Sequence, residues 1–215
     1  MRTLKTSLRR TARAGFSLIE LLAVIVIIGI LVAFLLPKLG ASGAVVKMKA
    51  TKAFLTQVET ACGSYSDEFG RYPKSRYDAK WGIGANNVNI GSEALVLQLW
   101  SQKWGGTNLT TDRLMNTDGD RSKNDVIDTE IVGDGQLMEL VDEWENPIAY
   151  IERRDYGEKF LYTTYDEDGN VQETEVGALK NSSGAYYQPK KFQLISAGID
   201  GIFGTEDDIT NFKRD

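Results

Sequence analysis

The chemistry open to this 215-residue chain rests on its carboxylates. It has no histidine, which excludes Ser-His-Asp and Cys-His catalysis, two-histidine zinc sites and histidine-ligated iron. A single cysteine, Cys62, allows neither an intramolecular disulfide nor a CxxC site. Near the C-terminus Asp200, Glu206, Asp207 and Asp208 stand among Gly198, Gly201 and Gly204. Glycines let the chain curl so that distant carboxylates converge, where they repel one another unless solvent or a cation intervenes. Paired acids can do general acid and base work, but aspartates beside glycines in turns suit cation ligation better, with a solvated acidic tail as the alternative. A second run, Asn116, Asp118, Asp120, Ser122 and Asn124, alternates oxygen-bearing side chains in the manner of a calcium loop. Arg121 stands where such a loop needs glycine, and no glutamate closes it, so a solvated acidic loop is the expectation there. Asp166 to Asn170 reads as an acidic turn.

The elements that must hold these acids follow from periodicity. Phe54, Val58, Ala61, Tyr65 and Phe69, with Leu55 and Cys62 beside them, recur at spacings of three and four and predict one apolar stripe on an amphipathic helix. Gly70 and Pro73 end it. Ser92 to Trp100 reads as a short helix with Ser92 as its N-cap. Residues 105–136, rich in Gly, Asp, Asn and Thr, read as a long loop. Short strands are expected at Ile148 to Glu152, Phe160 to Tyr165 and Phe192 to Ser196. Sequential strands predict an α+β fold, an antiparallel sheet with the helix across one face.

One acid stands apart. Phe16 to Leu36 is an apolar run of 21 residues whose single charge is Glu20, long enough as a helix to cross roughly 30 Å of hydrocarbon. A bare acid there costs about 2.5–3.5 kcal/mol on insertion scales and calls for a cationic partner. Ahead of it, Arg2, Lys5, Arg9, Arg10 and Arg13 precede any acid, which predicts a cytoplasmic N-terminus with the rest of the chain across the membrane. From Phe16 onward the chain carries 20 basic and 30 acidic residues, so nucleic acid at a basic surface is not expected.

Gly15-Phe16-Ser17-Leu18-Ile19-Glu20, followed by an apolar helix with Pro37 near its end, resembles the class III signal of type IV pilins and type II secretion pseudopilins. The resemblance implies cleavage by prepilin peptidase between Gly15 and Phe16, methylation of the Phe16 amine, and a Glu20 that meets the Phe16 amine of a neighbouring subunit. Two further stretches are similar to pseudopilins: Asp67 to Pro73, and Leu140 to Tyr150, where Glu145 replaces the usual glycine. Leu194 to Ile209 resembles the calcium loop of the major (type G) pseudopilin. That likeness implies structural calcium held by Asp200, Asp207 and Asp208 with backbone carbonyls of Leu194 and Ser196.

The implied organisation is a leader over 1–15, a transmembrane and filament-core helix over 16–36, its amphipathic continuation over 37–70, and a soluble type IV pilin-like domain over 71–215. Implied partners are other copies in a helical filament, prepilin peptidase, the inner-membrane secretion platform, minor pseudopilins and membrane lipid. The implied role is structural and not enzymatic: a single-pass inner-membrane protein with a periplasmic domain. A type IV pilus or competence pilin, or a membrane-anchored calcium-stabilised binding module, is the alternative.

Overall fold

The computed structural model describes residues 17–81, 83, 87–100, 107–122 and 135–215, with residues 34–42 described by backbone alone. Helix α1, Leu18–Phe69, runs through two compact units that divide after Gly43. In the first unit, large apolar side chains from Leu18 to Val32 are 44–82% exposed. Among the described residues no helix is long and apolar enough to cross a membrane. The span expected over 16–36 reaches Phe16, outside the described residues, and 34–36, where only backbone is described.

In the second unit α1 buries Phe54, Leu55, Val58, Ala61, Cys62 and Tyr65, the stripe that a 3.6-residue repeat aligns. Phe69, expected to continue that stripe, is instead exposed and lays its ring on Tyr65 at 4.5 Å. The helix stops there because Gly70 takes a φ of 66°, the left-handed position that closes helices.

Helix α2, Ile90–Leu99, is buried from Gly91 onward. Ser92 is not its N-cap. Asn89 precedes the helix with φ 54°, and its carbonyl accepts the Ser92 and Glu93 amides at 3.0 and 3.2 Å; asparagine is among the few residues that enter this region at modest cost. Ser92 lies in the first turn, where its hydroxyl accepts the Leu140 amide at 2.9 Å.

Among the described residues seven short strands follow: β1 Leu114–Met115, β2 Glu139–Leu140, β3 Ala149–Glu152, β4 Lys159–Tyr165, β5 Val171–Gly177, β6 Phe192–Ser196 and β7 Ile209–Thr210. The three expected strands are β3, β4 and β6. They do not form one sheet. β3, β6 and β7 pair antiparallel, with Ala149 opposite Ile195 and Ser196 opposite Ile209, while β4 pairs with β5 and β1 with β2. The β1–β2 ladder places a strand inside the region read as loop.

The β3–β6–β7 sheet lies between two layers, and strand alternation divides its side chains between them. Tyr150, Phe192 and Leu194 join the α1 stripe and Leu95 and Leu99 of α2. Ala149, Ile151 and Ile195 meet Phe160, Tyr162 and Val176 of the β4–β5 hairpin. The expectation of a helix across one face therefore holds, and the hairpin covers the other.

Between β2 and β3 the Asp142–Pro147 turn is built around a buried Asp142, whose Oδ1 accepts the Trp144 and Asn146 amides at 2.9 and 3.1 Å. Glu145 has φ 65°, so the position where the pseudopilin pattern carries glycine does adopt a glycine conformation. A left-handed residue other than glycine costs about 1–2 kcal/mol, and glycine returns about 0.4–1 kcal/mol of that through the unfolded chain. Glu145→Gly is expected to raise stability by up to about 1 kcal/mol in urea unfolding; a fall would mean that the Glu145 side chain contributes more than its backbone strain removes.

Candidate functional site

Gly15 and Phe16 lie outside the described residues. Glu20 sits in the first turn of α1, where its Oε2 accepts the Ser17 amide at 2.9 Å. Ser17 and Glu20 have the Ser-x-x-Glu spacing of a capping box, with the acid reaching back to the residue that starts the helix. The unpaired amides and dipole of a helix N-terminus favour negative charge at that point. The same local chemistry that starts α1 thus holds the carboxylate on the backbone of Ser17, the residue that follows Phe16 in sequence. The Ser17–Glu20 spacing was the signal for this, and reading Glu20 only as an acid in need of a cation missed it.

The loop between β6 and β7 carries the C-terminal acids. Gly198, Gly201 and Gly204 all have positive φ, of 70°, 66° and 92°. At Gly198 a Cβ would collide with Asp207, so this glycine is what lets the chain close on that acid. Asp207 Oδ2 accepts the amides of Ile199 at 2.7 Å and Asp200 at 3.1 Å, and Asp200 Oδ1 accepts the Ile202 amide at 2.8 Å. Buried Asp208 accepts the Gly204 amide at 3.0 Å and faces Arg214 at 3.5 Å. Burial disfavours ionisation of Asp207, but hydrogen bonds from Thr205, Asp200 and Ile199 outweigh it and hold the carboxyl below its ordinary range. For Asp208 burial prevails over the Gly204 amide and Arg214, and the charges of Asp207 and Asp200 add to it, pushing the carboxyl up to about 6.

Leu194 and Ser196 lie in β6, leading into this loop. The Leu194 carbonyl accepts the Asn211 amide at 3.2 Å, and the Ser196 hydroxyl donates to Asp142 at 2.7 Å. The loop carries Asp200, Asp207 and Asp208 on one turn system, joined through Ser196 to the Asp142–Pro147 turn, but it does not bring the three carboxylates within 4.8 Å of one another.

A second acidic group assembles where a solvated loop was expected. Asp118 and Asp120 are half-buried, and with Glu93 of α2 each offers one oxygen within 4.8 Å of the others. Asn116 closes the turn that carries them, donating to the Asp120 carbonyl at 2.8 Å and accepting the Gly119 amide at 2.7 Å. Ser122 is buried, and Asn124 lies outside the described residues. Glu93 and Glu139 are both 0% exposed. Glu139 accepts the Thr117 amide at 2.8 Å and the Asn89 side chain at 3.4 Å.

Burial, then the charges of Asp120, Glu139 and Asp118, drive Glu93 far above the ordinary carboxylate range, and it keeps its proton by donating to Glu139. Burial also raises Glu139, Asp118 and Asp120, the last to about 7. At neutral pH this is a shared-proton network. Its three converging oxygens could hold a hard divalent cation, which would have to displace the Glu93 proton. Alternation at Asn116, Asp118 and Asp120 hinted at it, whereas Glu93 reads in sequence as an ordinary first-turn helix acid.

These raised values set a sign. Below the ordinary range of about 4 both folded and unfolded carboxyls are protonated and the group contributes nothing. Above it the unfolded chain ionises first and the folded one resists, so stability falls as pH rises, through about 7 for Asp120 and beyond for Glu93. In chelator, the thermal midpoint is expected to drop between pH 5 and pH 8, and Glu93→Gln, which stays neutral, is expected to flatten that slope. An equal slope in the variant would remove Glu93 from the account.

The N-terminal geometry agrees with a comparison of sequence. The prokaryotic N-terminal methylation motif matches residues 10–36, across the Gly15–Phe16 junction and the apolar helix. No curated protein and no solved structure matches the chain. The motif is the mark of a prepilin-peptidase substrate, and it implies a pilin-like protein with a membrane-anchored N-terminus.

Proposed function

We propose that this chain is a structural subunit of a periplasmic pseudopilus that assists type II protein secretion. Prepilin peptidase cuts it after Gly15 and methylates Phe16. The observation that carries this reading is the methylation motif over 10–36, joined to a helix start in which Glu20 is held by the amide of Ser17, the residue that follows Phe16 in sequence. Supporting it, large apolar side chains surround α1 from Leu18 to Val32, a surface suited first to lipid and then to neighbouring helices. Beyond it, α1 is packed on an α+β domain.

The secretion role, as against a pilus or competence filament, rests on the Asp142–Pro147 turn and the Leu194–Ile209 loop. In this reading Glu20 pairs with the Phe16 amine of a neighbour, which neutralises two charges that are each costly in an apolar core and sets axial register between subunits. The N-terminus is cytoplasmic before processing, the domain is periplasmic, and the secretion platform and minor pseudopilins are its partners. Calcium in the C-terminal loop would be structural, held by Asp200, Asp207 and Asp208 with the Leu194 and Ser196 carbonyls. Burial, then the charges of Asp207 and Asp200, raise Asp208, a crowding that a bound cation would relieve, but the three carboxylates do not lie within 4.8 Å of one another, so binding would require the loop to draw them together.

Protein purified from its own membranes is expected to begin at methylated Phe16 by terminal sequencing and intact mass. A chain beginning at Met1 would defeat the processing step. Glu20→Ala is expected to abolish filaments in sheared fractions while leaving the domain folded, and normal filaments from it would remove the assembly role. Chelation is expected to lower the thermal midpoint, with Asp200→Ala insensitive to it; a midpoint indifferent to calcium in the unaltered chain would overturn the metal assignment.

A further inference from the structure

Beside Trp144 a cavity of about 440 Å³ opens between α1 and the Asp142–Pro147 turn, with Trp144 and Tyr165 among its walls. Four acids line it: Glu143, Glu145, Asp166 and Glu167. Arg113 answers Glu143. Asn170 and Gln172 donate to Asp166, and these hydrogen bonds hold its carboxyl below the ordinary range and so keep it charged. Glu145 and Glu167 are exposed, and neither carboxylate has an ion pair or a hydrogen bond among the described residues. The one cation in the lining, Lys47, pairs with none of these acids. Its ammonium stands 5.7 Å from the centre of the Trp144 ring instead, a cation–π contact that shows what this wall attracts.

The charge excess extends past the cavity. From Phe160 to Leu179 the chain has five acids and no basic residue. Apolar surface lies beside the charge: Tyr165 is 41% exposed, and its cross-strand neighbour Val171 is 58% exposed. Unpaired carboxylates around exposed rings complement a long basic side chain, whose aliphatic stem lies on the rings while its charged head reaches the acids. This chain is poorly suited to supply that side chain from a second copy. Its clustered cations are answered at home, Arg153 and Arg154 by Glu152 and Lys191 by Glu59. Lys49 and Lys52 share their own cavity with Glu206, Asp207 and Asp208, and Lys52 already donates to the Thr210 carbonyl. From Phe16 onward acids outnumber bases by 30 to 20, so two copies repel on balance.

We infer that the Trp144 cavity docks a lysine or arginine side chain from a basic surface of a second protein, different from this chain. The partner's cation meets Glu145 and Glu167, the two carboxylates left without a counter-charge, and its stem covers Trp144 and Tyr165. The inference goes beyond the filament reading and does not rest on it.

The test uses the full chain in nonionic detergent, with an oligolysine peptide as the probe and fluorescence anisotropy as the readout. Oligolysine is expected to bind, and oligoglutamate is expected not to. Glu145→Gln combined with Glu167→Gln, both at exposed positions, is expected to weaken oligolysine binding at least about tenfold. Asp67→Asn combined with Glu68→Gln removes the same charge from exposed positions about 30 Å along α1 from Lys47. At that distance charges are screened, so this pair is expected to change the affinity by less than about twofold. Equal weakening by the two pairs would reduce the effect to general attraction and overturn the site, as would an unaltered chain that ignores oligolysine. Self-association of the unaltered chain in sedimentation, abolished by the Glu145 and Glu167 changes, would put a second copy in the cavity and overturn the choice of partner.

Discussion

Asn89 joins what the strands do not. The described residues of the domain form three small sheets, and strands of two to seven residues cannot supply one continuous ladder across it. Asn89, 0% exposed, bridges two of them, β4–β5 and β1–β2, from a single left-handed position. Its amide reaches the Leu161 carbonyl at 2.9 Å and its side-chain oxygen accepts the Thr163 amide at 3.1 Å, both on β4. Its side-chain nitrogen donates to Thr117 at 3.1 Å and to Glu139 of β2, and its carbonyl begins α2. A buried amide with every group engaged is stabilising because the alternative is a set of unsatisfied donors and acceptors. Asn146 repeats the device at the other end of the hairpin, exchanging two hydrogen bonds with the Tyr165 backbone at 3.0 and 2.7 Å.

That stitching decides what the acids can do. Because Asn89 and Thr117 both donate to Glu139, Glu139 is the acceptor of the buried pair and Glu93 the holder of the proton. Where hydrophobic walls leave little solvent, a carboxyl pair shares a proton sooner than it bears two charges. The C-terminal loop is the opposite environment. Amides, a hydroxyl and positive-φ glycines surround Asp207 and favour its charged form. Of the two acidic groups, the loop is therefore the one that holds an acid in its charged form, and the Glu93 group the one that holds a proton.

Much of this was legible locally. The α1 stripe, the breaking glycine and three strands follow from spacing within one element. The positive φ of Gly198, Gly201 and Gly204 follows from residue type. What escaped depends on partners far away in sequence. Strand β5 exposes or half-exposes every residue but Val176, so it offers no alternation to read, and only the register with β4 makes it a strand. β1, β2 and β7 are two residues each, too short to carry a period. Ser92 looks like an N-cap because serine favours that position, yet the Leu140 amide occupies its hydroxyl, a contact 48 residues away. Nothing around Glu93 in sequence reports that Glu139, Asp118 and Asp120 fold against it.

The two parts of α1 differ in what could cover them. From Lys47 onward polar residues interrupt the apolar ones, so a single stripe is apolar and one domain face suffices to bury it. From Leu18 to Val32 Glu20 is the sole residue with a polar side chain, and the exposed apolar side chains leave no polar face. An all-round apolar helix is stable only when surrounded, by hydrocarbon or by other helices. Lipid offers Glu20 no counter-charge, and the helix start relieves the acid only in part, through the Ser17 amide. A surround of identical helices, each with a new amine one residue before Ser17, supplies both the apolar cover and the cation. In the proposed filament, then, the acid that makes the helix a costly membrane anchor is the one that favours its transfer from bilayer to assembly.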